Sequence, residues 1–157
     1  MRMLYTDINR CTGCKTCITA CATIRSKWKK SDSISIKVES LNPRNFVINS
    51  NDRTVPLQCK HCEEPPCLAV CPVDAIYKKD NVVLLSQFNC IGCNACHIAC
   101  PYGNIIQTDY YMDKCDLCYE EDDSACSIAC PNDALISVNF DKLVKKREDF
   151  VLYENEN

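Results

Sequence analysis

Apolar and polar positions alternate along this chain in short bursts. The stretch from Asp74 to Leu85 has two apolar, partly β-branched runs around the polar tip Lys79-Asp80-Asn81, which predicts a β-hairpin. Met3 to Ile8 and Ala134 to Val138 read as single strands near opposite ends of the sequence, and those two can pair. Ser33 to Glu39 alternates apolar with polar, and after Asn42-Pro43-Arg44 the run Asn45-Phe46-Val47-Ile48 reads as a further strand. Asp141 to Asn157 suits a short helix with a frayed end, either solvated or docked on a partner. The longest apolar runs, such as Val82-Val83-Leu84-Leu85, are far too short to cross a bilayer.

Composition changes the picture, because 16 of the 157 residues are cysteine. That density marks a scaffold built on sulfur. With only 3 glycines and 7 prolines, the chain is not of low complexity. A formal net charge of −3 gives no basic field to draw it to nucleic acid or anionic lipid. Met1 to Asp7 holds no signal-peptide core and no twin-arginine export signal, so the expectation is a cytoplasmic address with no membrane anchor. Thiols stay reduced there, which favours metal–thiolate chemistry over disulfides.

The cysteines fall into four quartets with none left over. Cys11, Cys14, Cys17 and Cys21 are spaced C-x2-C-x2-C-x3-C, and Cys90, Cys93, Cys96 and Cys100 repeat that spacing. Cys59, Cys62, Cys67 and Cys71 read C-x2-C-x4-C-x3-C, and Cys115, Cys118, Cys126 and Cys130 read C-x2-C-x7-C-x3-C. Three quartets end in Cys-Pro, at Pro72, Pro101 and Pro131, whereas Ala22 follows Cys21. This is the run that binds [4Fe–4S] clusters in bacterial ferredoxins. Three closely spaced thiolates can wrap a loop around one cube, with backbone N–H groups turned toward sulfur. The fourth lies one helical turn on and can project toward a different cube before proline stops the chain. Gly13 and Gly92 precede the second cysteine of the matching quartets, where a tight turn suits a residue without Cβ. His61 and Leu117 stand there in the others, so those loops either turn differently or tolerate a side chain.

Cubes that exchange ligands come in pairs, and the hairpin between quartets two and three makes 57–108 one two-cluster ferredoxin module. The terminal strands then close an outer module, 1–56 with 109–140, carrying a β insert at about 33–50 and followed by the tail 141–157. The expected fold class is α+β: tandem two-[4Fe–4S] ferredoxin modules, nested, with short strands and helices around the clusters. Four [4Fe–4S] clusters follow. Cys11, Cys14, Cys17 and Cys130 hold one, and Cys115, Cys118, Cys126 and Cys21 its neighbour; Cys59, Cys62, Cys67 and Cys100 hold the third, and Cys90, Cys93, Cys96 and Cys71 the fourth. Consecutive pairing of quartets would leave the hairpin between modules instead of inside one.

Other readings fit less well. A four-cysteine zinc site pairs two C-x2-C knuckles across an intervening stretch, which these ladders do not resemble. Disulfides explain the cysteine total but not the repeated intervals. The insert reads as a lid over the outer clusters. Glu120-Glu121-Asp122-Asp123 reads as a solvated loop, suited at most to a basic partner. Lys27, Lys29 and Lys30 around Trp28 form a surface patch that could offset cluster charge, and His61 and His97 are neighbours of complete ligand sets.

The sixteen cysteines, with Cys59-Lys60-His61-Cys62-Glu63-Glu64-Pro65-Pro66-Cys67, Asn89-Cys90-Ile91-Gly92-Cys93 and Lys114-Cys115-Asp116-Leu117-Cys118, resemble the four-cluster iron–sulfur subunits of the dimethyl sulfoxide reductase family over roughly residues 5–137. That group includes the electron-transfer subunits of formate dehydrogenases, hydrogenases and carbon monoxide dehydrogenases, and the small subunits of tungsten aldehyde oxidoreductases are also similar. The resemblance implies nested ligation and a non-catalytic role beside a large catalytic oxidoreductase subunit, with a flavin or ferredoxin as the further redox partner. The long gap from Ala22 to Gln58 shifts weight toward a tungsten- or molybdenum-containing partner. A free polyferredoxin, or an electron-transfer protein of a hydrogenase or carbon monoxide dehydrogenase, is the alternative, and a zinc-binding interaction module, from another class, predicts a colourless protein. The residues offer no nucleophile with a paired base and no phosphate-cradling loop.

Overall fold

The computed structural model describes residues 2–27, 42–50 and 53–140. The strand expected over Ser33–Glu39, the patch at Trp28, Lys29 and Lys30, and the tail 141–157 lie outside them. The described residues form an α+β architecture of short strands and helices arranged as four two-stranded antiparallel sheets.

Strand β1 (Arg2–Thr6) pairs with β8 (Leu135–Asn139), Arg2 opposite Asn139 and Thr6 opposite Leu135, so the two ends of the described chain close on each other. The expected hairpin is β4 (Ile76–Lys79) with β5 (Val82–Leu85). Its turn is narrower than the polar tip suggested: Lys79 pairs with Val82, leaving Asp80 and Asn81 at φ of 47° and 64°. Positive φ at both central residues is what a two-residue turn of matching twist requires, and Asp and Asn tolerate it.

Two pairings were not expected. The partner of β2 (Asn45–Ser50) is β3 (Arg53–Gln58), with Val47 opposite Pro56. Proline inside a run argues against a strand, and here it sits where the two-stranded sheet has a free edge. The other pair, β6 (Ile105–Gln107) with β7 (Met112–Lys114), is too short to show an alternation. The module seams placed at 56/57 and 108/109 fall inside β3 and in the β6–β7 turn.

Each quartet feeds a helix. The helices α2 (Pro66–Ala69), α3 (Ala95–Ala99) and α4 (Ala125–Ile128) stop just before the Cys-Pro pair. Helix α1 (Thr16–Lys27) runs past Cys21, the one quartet end without proline. Thiols make up much of the core: Cys67 and Cys96 pack with Ile76, Val83, Ile105 and Met112, and Cys17 and Cys126 pack with Leu135. A third cluster joins Leu117 to Val82 and Leu84 of the hairpin. Among the described residues no helix is long and apolar enough to cross a membrane.

Candidate metal centres

The four loops turn alike. The residue before each second cysteine is left-handed, with φ of 71° at Gly13, 46° at His61, 68° at Gly92 and 56° at Leu117. A Cβ on Gly13 would lie 2.9 Å from Thr54 Cγ2, a side-chain atom, and one on Gly92 would lie 3.1 Å from the Tyr110 carbonyl oxygen, so a side chain would crowd both loops and meet backbone at Gly92. The other two tolerate side chains because the hairpin holds them. His61 Nδ1 accepts the Val83 N–H at 3.0 Å, and buried Leu117 packs on Val82 and Leu84. These contacts offset a left-handed cost of about 1–2 kcal/mol.

A second shared turn follows each Cys-Pro, where Asp74, Gly103 and Asp133 are left-handed at 50°, 61° and 51°. In two of the three the next N–H points back at sulfur: Ala75 N to Cys71 Sγ and Ala134 N to Cys130 Sγ, both 3.2 Å. The repeated Cys-Pro-Xaa-Asp/Gly was the signal in the sequence for these donors. Further N–H···S bonds run from Arg44 to Cys21 (3.3 Å), His61 to Cys59 (3.5 Å), Met112 to Cys90 and Leu117 to Cys115 (both 3.4 Å). The Thr16 hydroxyl donates to Cys14 Sγ at 3.3 Å, and that bond holds the exposed Cys14 thiol below its usual range.

The cysteines gather around four cavities. Cys11, Cys14, Cys17 and Cys130 line one, with Val47, Pro56 and Leu135. Cys59, Cys62, Cys67 and Cys100 line another, with Val83 and Ile105, and Cys71, Cys90, Cys93 and Cys96 a third, with Ile76 and Met112. Cys21, Cys115, Cys118 and Cys126 line the last, a larger cavity of about 470 Å³ that Lys114 and Arg44 also border. Each cavity takes three thiols from one quartet and one from another. All sixteen cysteines are free thiols. Among the described residues no group of three or more His, Cys, Asp or Glu closes on a point as one metal ion would require.

Neighbouring sets influence one another. Burial pushes Cys96 up to about 11, with Cys90 of its own set and Cys67 of the next adding to the rise. Burial likewise pushes Cys115 up to about 12, to which Asp116 and Cys59 add. Cys126 is raised by burial, then by Cys115, Cys21 and Cys118, and finally by Cys17. Thiols held this far up gain from a positively charged core that takes them as thiolates.

Beside the cavity of Cys21, Cys115, Cys118 and Cys126, two arginines and two aspartates form an ion-pair network. Arg44, 8% exposed, places Nη2 2.7 Å from Asp113 Oδ1 and Nη1 2.5 Å from Asp116 Oδ2, while Arg25 Nη2 lies 2.8 Å from Asp113 Oδ2. This network ties α1 and the entry to β2 to the fourth quartet. Burial works against the Arg44 charge, but Asp116 and Asp113 outweigh it and hold the guanidinium above its usual range. Arg2 clasps the long loop of that quartet, donating to the carbonyls of Leu117 and Cys118 (3.2 Å each), Glu121 (2.9 Å) and Asp122 (3.0 Å). Glu120, Glu121 and Asp122 themselves are exposed. His97 Nδ1 is bonded to the Ile105 carbonyl.

Four-thiol donor sets, each fed by N–H groups aimed at sulfur and walled by aliphatic side chains, suit thiolate-ligated clusters and define an iron–sulfur protein. The chain belongs to the 4Fe–4S dicluster domain family, whose model matches residues 51–140; a second model, of a 4Fe–4S binding domain, matches residues 8–24. It is 36% identical to the electron transport protein HydN of Escherichia coli strain K12, over 90% of each chain. It is also 36% identical to a chain of the anaerobic dimethyl sulfoxide reductase of that strain, covering 92% of this protein and 77% of the relative. Component A of hydrogenase-4 from the same strain is 30% identical, over 88% of this protein and 83% of the relative. The protein is an iron–sulfur electron-transfer protein.

Proposed function

We propose that the chain carries four [4Fe–4S] clusters and, without catalysing a reaction itself, relays single electrons between a catalytic oxidoreductase subunit and a further redox partner. The clusters are held by Cys11, Cys14, Cys17 and Cys130; by Cys115, Cys118, Cys126 and Cys21; by Cys59, Cys62, Cys67 and Cys100; and by Cys90, Cys93, Cys96 and Cys71. The two-cluster modules are nested, 57–108 within 1–56 and 109–140. The observation that carries this reading is the set of four separate cavities, each bordered by four thiols drawn from two quartets. When bound, such clusters supply one-electron redox chemistry at potentials set by charge, hydrogen bonding and exposure.

Packing supports a single row: the Cys71/Cys90/Cys93/Cys96 set meets the Cys59 set where Cys96 packs with Cys67, the Cys59 set meets the Cys115 set where Lys114 joins the Val83 and Cys115 carbonyls, and the Cys115 set meets the Cys11 set where Cys126 packs with Cys17. The outer members each include an exposed thiol, Cys93 and Cys14, where electrons can enter and leave. The protein's own part is to position the row, aim N–H donors at sulfur and exclude water from the buried thiols Cys17, Cys67, Cys96 and Cys126. Relatives named as a chain of dimethyl sulfoxide reductase and as a hydrogenase component support a catalytic partner. We take that partner to be a molybdenum or tungsten subunit and the location to be the cytoplasm.

The match to HydN, named only as an electron transport protein, favours a second reading as a free carrier. Affinity capture from anaerobic cells separates the two: a stoichiometric large subunit retaining molybdenum or tungsten supports the first, and a chain recovered alone at full cluster content supports the second. Spin integration of the fully reduced protein tests the cluster number, four interacting spins being expected and two contradicting it.

A further inference from the structure

Lys114 is 2% exposed, and its ammonium does not reach solvent. Lys114 Nζ donates to the carbonyl oxygens of Val83 and Cys115. Val83 borders the cavity of Cys59, Cys62, Cys67 and Cys100, whereas Cys115 belongs to the neighbouring cavity, which Lys114 itself borders. The ammonium therefore bridges the walls of two adjacent thiol cavities, at the junction of the inner hairpin with the fourth quartet. Its charge acts on both sides. Among the described residues Lys114 is in no ion pair, although the nearby arginines Arg25 and Arg44 both have carboxylate partners. A buried cation demands compensating negative charge. Two anionic thiolate-ligated clusters, one on either side, provide it.

We infer that Lys114 is a positioning residue for electron flow: its buried charge favours the reduced state of the clusters of the Cys59 and Cys115 sets, one on either side of it, and so eases electron passage across the junction. This rests on the four-cluster reading. A nearby positive charge is stabilised more by the more negative, reduced cluster, so removing it must lower the potential of the couples beside it and leave the distant pair unchanged.

The test compares Lys114→Met, Lys114→Gln and Lys114→Arg holoproteins by iron analysis and by potentiometric titration followed by electron paramagnetic resonance. Both neutral variants should keep the iron content of the parent. Two couples should move so that the reduced-to-oxidised ratio at fixed potential falls about tenfold, about 59 mV for one electron, and Lys114→Arg should restore both. The two that move should be those altered by ligand substitution at Cys67 and Cys118, not at Cys14 and Cys93. Unmoved potentials, an equal shift of all four couples, or an arginine variant as displaced as the methionine one would each overturn the inference. So would loss of iron from both neutral variants, which would make Lys114 a structural clasp. Failure of the four-cluster reading is distinguishable, because it would appear in the parent's iron content before any substitution.

Discussion

Substituting alanine for glycine separates two costs that usually arrive together, because Gly92 and Gly103 share a left-handed backbone but not the same surroundings. Gly92 has φ of 68° and a prospective Cβ 3.1 Å from the Tyr110 carbonyl oxygen, part of a backbone that cannot rotate aside. Gly103 has φ of 61° and nothing within 4 Å of its prospective Cβ. Alanine in either place bears the left-handed cost, about 1–2 kcal/mol. Gly92→Ala adds the displacement of the Tyr110 segment, an overpacking cost of about 1–3 kcal/mol. The expected order is therefore Gly103→Ala at about 1–2 kcal/mol and Gly92→Ala at about 2–5 kcal/mol. Gly13→Ala should fall between them, since its Cβ would press on the side chain of Thr54, which can shift. Anaerobic guanidinium titration of the holoproteins, followed by loss of visible cluster absorbance, reads the differences as midpoints. Equal midpoints for Gly92→Ala and Gly103→Ala would refute the close approach of Tyr110 as the reason for glycine at that loop.

Further outcomes follow from the packing around the largest cavity. Arg44→Met leaves Asp113 buried and short of one cation, and should destabilise the holoprotein by about 3–5 kcal/mol, measured in the same titration. Leu117→Ala opens a void under the hairpin at a residue 2% exposed and should cost about 2–5 kcal/mol, whereas an equal change at exposed Ile98 should be near neutral. Arg2→Ala releases four carbonyls of the long fourth loop, and a chelator competition assay should show one quarter of the iron leaving faster than in the parent. Chelation of all the iron should abolish cooperative unfolding, because cores this small depend on metal binding, and circular dichroism checks this.

The hairpin was legible in the sequence because partly β-branched runs flank a polar tip, and the closure of the chain ends because apolar stretches lead into the first quartet and out of the fourth. Helix length was legible in a subtler way: α1 alone continues beyond its quartet, where Ala22 replaces the proline found after Cys71, Cys100 and Cys130. What His61 and Leu117 do could not be read locally. A left-handed residue with a side chain costs little enough for a distant contact to compensate, and those contacts come from a hairpin more than twenty residues away in sequence. Strand β3 was hidden by Pro56, and β6 with β7 by brevity. Lys114 stands beside a cysteine in the Lys114–Cys118 motif, and nothing in its sequence neighbours reveals that two cavity walls meet there. The cysteine spacing suggested four-thiol groups, and the Cys-Pro-Xaa-Asp/Gly turns that feed N–H groups to Cys71 and Cys130 were present in the sequence but unremarkable until their backbone angles were known.

The central claim is that sixteen thiols divide among four cubes. Iron and acid-labile sulfide measured against protein mass on anaerobically isolated material tests it most directly. The account predicts about 16 of each per chain. About 8 of each, or zinc in place of iron, would contradict it.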